Sequence, residues 1–201
     1  FKAGRYNFGK GMSYSAAIDL LAAGPNAGTT TVSIPEGRSR WETAQLVEGL
    51  GLQGDYMAAT ESSELLNPRR YGAPKSVNDL EGFLFPATYE LPAGANVDKL
   101  VPQQLTAFKN NIAEVNLRFA RSKNLTVYDV LTIASLIERE VSVASERKLV
   151  SAVIYNRLKQ NVALGIDATT RLETRNRTEP RPNAQLPNDT PLNTRTTKGL
   201  T

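Results

Sequence analysis

Thr126–Val141 reads TVYDVLTIASLIEREV. Thr126 is a helix cap, and Val127, Val130, Leu131, Ala134, Ile137 and Val141 follow at i, i+3, i+4 spacing. That spacing predicts an amphipathic helix over about 127–141. Glu138 comes four residues after Ala134 and so falls on the apolar stripe. Glu140 lies roughly 200° further round, at about 100° per residue, on the other side. The two carboxylates therefore cannot face each other as a pair. A carboxyl group among aliphatic side chains resists ionising, and burial can lift a Glu from about 4.3 to 6 or above, as a general acid requires. The pattern leaves a second reading open, in which Glu138 sits at the stripe's edge or pairs with an arginine such as Arg157.

Composition narrows the chemistry. The chain has 201 residues, 40% hydrophobic and 22% charged, enough for one large domain or two small ones with a sizeable core. Cysteine and histidine are both absent. Disulfides, thiolate and imidazole metal sites, and Ser-His-Asp or Cys-His catalysis are thereby excluded. The acid or base of any enzyme here is most simply a carboxylate. No metal or cofactor is expected. The net charge of +4 and sequence pI of about 9.4 fit ordinary surface charge or an anionic partner. No apolar run reaches the roughly 18 residues of a membrane span. The opening FKAGRYNF already reads as a strand, so the chain is expected to be a piece of a longer protein.

Working outward, the expected fold is α+β. Ser13 caps a helix to about Ala23, TTTVSI is a β-branched strand, and Ser39 with Glu42 forms a capping box for the helix RWETAQLVEGL. Asp55 caps a further short helix. These units predict a small accessory α/β module over 1–62. Residues 63–201 are then a mainly helical domain with short strands around a cleft. Leu80–Gly94, LEGFLFPATYELPAG, is extended. Asn96 caps a long helix to about Ser122, with a kink or a later start at Pro102. A helix over about Ser145–Lys159 follows, and the chain from Leu172 onward reads as an exposed loop.

Four segments taken in order, LEGFLFPATYELP, ASLIEREVSVASERKLVSAVIYNRL, LGIDATTRL and PLNTRTTKGL, resemble the YceG-like, or MltG, family of endolytic murein transglycosylases. IPEG and its following helix extend the match toward the N-terminus. The resemblance implies a catalytic domain held outside the cytoplasmic membrane by an anchor preceding Phe1. It also implies a LysM-like accessory module, peptidoglycan glycan strands as substrate, and cell-wall synthesis partners such as penicillin-binding proteins. The family's catalytic glutamate, the first of its ASxxE motif, falls on Glu138, the residue the helical pattern had separated from Glu140. Within the matched segments, substrate-binding positions are expected at Glu81, Tyr89, Asn156, Arg157, Asp167, Thr169, Asn193 and Thr194. Leu192 stands where the family has a tyrosine, Ala87 where it often has a polar residue, and the catalytic domain is expected to be truncated after Thr201.

Each binding candidate has a plainer role beside the functional one. Glu81 either faces the cleft or ties down its own loop. Tyr89 and Phe85 either stack on sugars or fill the core. Asn156 and Arg157 contact sugar or form a structural pair, Asp167 and Thr169 serve the cleft or a local turn, and Asn193 and Thr194 line the cleft or a plain loop. Rival functions are a non-catalytic glycan-binding module, a lysozyme-like hydrolase, and a nucleic-acid-binding protein suggested by Arg171, Arg175, Arg177 and Arg181. Against the last, those arginines are interleaved with Glu173 and Glu179, and no nucleic-acid motif accompanies them.

Overall fold

The structure, a computed structural model, describes residues 6, 8, 11–24, 29–92, 94–174, 190 and 192–200. Among these residues it is helix-rich with one small antiparallel sheet, an α+β architecture. Strand β1 (Thr29–Ser33) pairs with β2 (Thr88–Pro92), with Val32 opposite Tyr89. Side chains alternate as a half-buried strand requires: Tyr89 and Leu91 are buried, and Thr88 and Glu90 are exposed. The run GRYNF lies largely outside the described residues.

Helix starts follow their caps. Ser13 opens α1 (Tyr14–Ala23), and Asp55 opens α3 (Tyr56–Ala59). Ser39 and Glu42 close the predicted capping box on α2 (Arg40–Gly49). Asn96 caps α4 (Val97–Glu114), so Pro102 sits inside the helix without delaying its start. The chain turns extended at Val115, and the expected continuation to Ser122 is a separate short helix, α5 (Arg118–Ser122). Helix α6 (Val127–Glu140) carries a second capping box, Thr126 with Asp129. A 3₁₀ turn at Ala144–Glu146 leads into α7 (Arg147–Lys159). The segment read as a turn and then a loop forms helix α8 (Asp167–Thr174) instead, and residues 175–189 lie outside the described part.

Two apolar cores organise these elements. The first runs from Val32 through Leu52, Phe83 and Leu91 to Leu105 and Phe108. Phe83 is its hub, with ring contacts to Tyr71, Phe108 and Tyr128 at centroid distances of 5.6, 5.2 and 6.1 Å. The second gathers Ile133, Leu136, Ile154, Leu164 and Ile166. Across residue 62 the chain is joined by the ladder itself, since β1 pairs with β2, 55 residues later. Packing divides along α6. Its Tyr128 and Leu131 pack on the first core, and its Ile133, Leu136 and Ile137 on the second.

Candidate active site

That double duty decides where Glu138 lies. With apolar residues needed on two sides of α6, the stripe through Ala134 and Glu138 is left over. Ala134 is exposed, and the Glu138 side chain retains 37% of its accessible surface. The two do share a face, one turn apart, as the spacing required. That face borders a groove of about 370 Å³, lined by Ala134, Ile137 and Glu138 from α6 and by Arg147, Lys148 and Ser151 from α7. The enclosure in aliphatic side chains expected for Glu138 is therefore replaced by the wall of an open groove, which it shares with Arg147, Lys148 and Ser151. Ala134 is small enough that exposing it costs little.

Two neighbours border the carboxylate. Arg147 Nη2 lies 3.2 Å from Glu138 Oε2, and both side chains are part-exposed. On another side the turn between β1 and α2 approaches. A Cβ placed on Gly37 would be 3.5 Å from Glu138 Cγ, and Gly37 itself holds φ +71°. A residue without a side chain thus sits beside the carboxylate, in a conformation that favours glycine.

A polar seam anchors this region. Glu42 Oε2 accepts hydrogen bonds from Ser39 N at 2.8 Å and Ser39 Oγ at 3.1 Å, and lies 3.4 Å from Arg139 Nη2. The residue next to Glu138 therefore ties α6 to the start of α2. Arg40 donates to Thr60 Oγ1 and the Met57 carbonyl and pairs with Asp79. Glu81 Oε2 accepts the Arg40 backbone N–H at 2.9 Å. Burial raises the Glu81 pKa, and that hydrogen bond, at the positive end of α2, opposes the rise. Glu81 thus ties its loop to α2.

The remaining candidates divide by core. Tyr89 is 6% exposed and donates to the Phe85 carbonyl at 2.6 Å. Burial pushes its phenol up to about 12. It is a core residue closed to a sugar ring, and Phe85 packs against the same core. Asp167, Thr169, Asn193 and Thr194 come together in one knot at the start of α8. Thr194 Oγ1 accepts from Ile166 N and donates to Ile166 O, both at 2.8 Å, and Thr194 O accepts from Gly165 N. Thr169 Oγ1 also donates to Ile166 O, and Asn193 Oδ1 accepts from Arg195 N. Thr169, Asn193 and Thr194 are buried, so they shape the knot from within. Asp167 stays part-exposed and receives Arg195 Nε and Nη2 on one oxygen, each at 2.9 Å. Arg157 Nη1 donates to the Leu164 carbonyl, clasping α7 to the same knot instead of pairing with Glu138, and Asn156 is exposed.

Sequence reasoning missed Arg147, Gly37 and the Arg139–Glu42 bridge. Arg147 follows Glu138 by nine residues across a helix break, a separation no helical period connects. Among the described residues no three His, Cys, Asp or Glu side chains are grouped as metal ligands would be. Of the arginines behind the nucleic-acid reading, Arg175, Arg177 and Arg181 lie outside the described residues.

The chain was compared with known proteins. An endolytic murein transglycosylase of Streptococcus pneumoniae strain R6 is 33% identical over 191 residues, covering 81% of this chain and 34% of the relative. One from Bacillus subtilis is 28% identical over 213 residues, covering 100% of this chain and 59% of the relative. The chain thus spans about a third of the pneumococcal protein and somewhat over half of the other. A crystallised yceG-like protein from Listeria monocytogenes superposes with a TM-score of 0.74 at 25% identity, over 99% of this chain and 70% of that one. The YceG-like family model matches residues 1–201. On the full extent of that match, the chain belongs to the YceG-like family.

Proposed function

We propose that the chain carries the bond-cleaving part of an endolytic murein transglycosylase, with Glu138 as its acid and then its base. The observation that carries this reading is a glutamate on the wall of an open groove, paired with Arg147 and bordered by the side-chain-free Gly37. The relatives' activity supports the substrate class.

In this mechanism Glu138 protonates the oxygen joining N-acetylmuramic acid to N-acetylglucosamine. The C1–O bond breaks with its electron pair leaving on that oxygen, and oxocarbenium character develops at C1. The 6-hydroxyl of the same muramic acid attacks C1, and the Glu138 carboxylate takes the hydroxyl proton. A 1,6-anhydro end results and no water is consumed, so one carboxylate suffices where a hydrolase needs two. Arg147 is the partner of the ionised form that Glu138 adopts after its first transfer, and a glycan strand laid along the groove covers the part-exposed carboxyl and favours the protonated form that the first transfer needs. Asn156, Arg157 and Asp167 contact the strand, and Glu81 and the buried Thr169, Asn193 and Thr194 hold the elements that present them.

The finer parts of the proposal rest on the resemblance. They are an extracytoplasmic location through a membrane anchor, penicillin-binding proteins as partners, and a LysM-like, glycan-contacting N-terminal module. That module is read over 1–62, with 63–201 as the catalytic part, and its strand at 29–33 pairs with the strand at 88–92. Among the described residues no helix is long and apolar enough to cross a membrane.

Purified peptidoglycan digested with parent and Glu138→Gln protein, scanned by mass for anhydro ends, tests the assignment. The variant loses nearly all cleavage while its circular dichroism is unchanged. Anhydro ends at the parental rate would remove Glu138 from the mechanism. Reducing ends from the parent would make the enzyme a hydrolase, and a folded parent that cuts nothing would make it a binding module.

A further inference from the structure

At the opposite end of α6 from Glu138 lies a second cavity, of about 400 Å³, that the proposed reaction does not use. Twelve residues of helix at about 1.5 Å each, roughly 18 Å, separate Thr126 at its edge from Glu138. Three cationic side chains line it, Arg69 and Arg70 from the 3₁₀ turn Pro68–Tyr71 and Arg121 from α5. Tyr71, Leu117 and Leu125 supply apolar wall, and no carboxylate is among the lining residues. None of the three guanidinium groups has an ion-pair or hydrogen-bond partner among the described residues. The carboxylate beside the rim, Asp129, is turned to the cap, its Oδ2 accepting from Thr126 N at 2.8 Å and Thr126 Oγ1 at 2.7 Å.

The cluster depends on a close backbone approach. Gly72, at φ +92°, lies so near Thr126 that a Cβ there would be 2.3 Å from Thr126 Cβ. That approach lays the Arg69–Arg70 turn against the N-terminal end of α6, whose dipole adds positive potential. The three exposed arginines border one cavity with no carboxylate in its lining, so an anion there meets only positive charge. Guanidinium forks match the oxygens of phosphate and bind them bidentately.

We propose that this cavity is a phosphate-binding site, taking a phosphate or pyrophosphate group that is either free or part of a lipid headgroup. The site is independent of the Glu138 reading, and Glu138→Gln leaves it unchanged.

The test is calorimetric titration of the 201-residue protein with inorganic pyrophosphate at low salt, beside flotation with phosphatidylglycerol and phosphatidylcholine vesicles. The variants are Arg69→Gln/Arg70→Gln and, separately, Arg121→Gln, which changes a different element should the first pair misfold. Lys99→Gln/Lys159→Gln removes the same charge elsewhere. Saturable pyrophosphate binding, weakened about tenfold or more in either arginine variant and retained in the lysine control, identifies a soluble phosphate site. Arginine-dependent binding only to phosphatidylglycerol vesicles identifies a headgroup site. Absence of both, equal loss in the lysine control, or tighter binding of acetate than of pyrophosphate overturns the proposal.

Discussion

Thr194→Val replaces a hydroxyl with a methyl group of nearly the same shape at a fully buried position. The Ile166 carbonyl keeps a donor, because Thr169 Oγ1 also reaches it at 3.0 Å. The Ile166 N–H does not, since its bond at 2.8 Å goes to Thr194 Oγ1. One buried donor is therefore orphaned, which costs about 1–3 kcal/mol. A central value of about 2 kcal/mol corresponds to a melting temperature lower by roughly 4–8 °C in a chain of this length. Thr194→Ser keeps the oxygen and loses one methyl, so it should cost about 1 kcal/mol or less. Guanidinium denaturation followed by circular dichroism, with cleavage measured well below either midpoint, checks both variants. If Thr194 is the structural pin described above, Thr194→Val shifts the midpoint while the folded fraction cleaves with little change in KM. A valine variant as stable as the parent, or one that keeps its stability and loses substrate affinity, would refute the reasoning and return Thr194 to the cleft.

Other expectations follow from the same geometry. Gly72→Ala combines a strained φ with a clash at the Thr126 side chain and should cost about 2–4 kcal/mol by denaturant midpoint. Arg147→Gln removes a part-exposed pair, so it should change stability by less than about 1 kcal/mol while altering the rate of anhydro-end formation. At alkaline pH the sign is set by buried phenols. The Tyr89 pKa is raised from 10.0 to about 12 and that of Tyr56 is raised too, in both cases by burial first. Their contribution to stability is complete below pH 10 and is lost as pH climbs through the folded values, at no more than about 1.4 kcal/mol per pH unit for each group. Unfolding midpoints between pH 9 and 12 should fall accordingly, and more shallowly in Tyr89→Phe.

The sequence by itself determined what is local. Capping at Ser13, Ser39, Asp55, Asn96 and Thr126 depends on a side chain reaching a backbone N–H two or three residues away, and each of those helices starts as read. The same short-range geometry put Ala134 and Glu138 on one face and Glu140 on another, and the ordered motifs carried the family. Which face of α6 would be buried was not local. It depended on two cores, gathered from residues as distant as Val32 and Ile166, that claim opposite sides of the helix and leave the Ala134–Glu138 face open. Only the tertiary structure could bring Gly37 and Arg147 to Glu138, or Thr194 to Ile166. Those contacts join segments whose separation in the chain follows no helical or strand period, and their geometry is fixed by packing rather than by propensity.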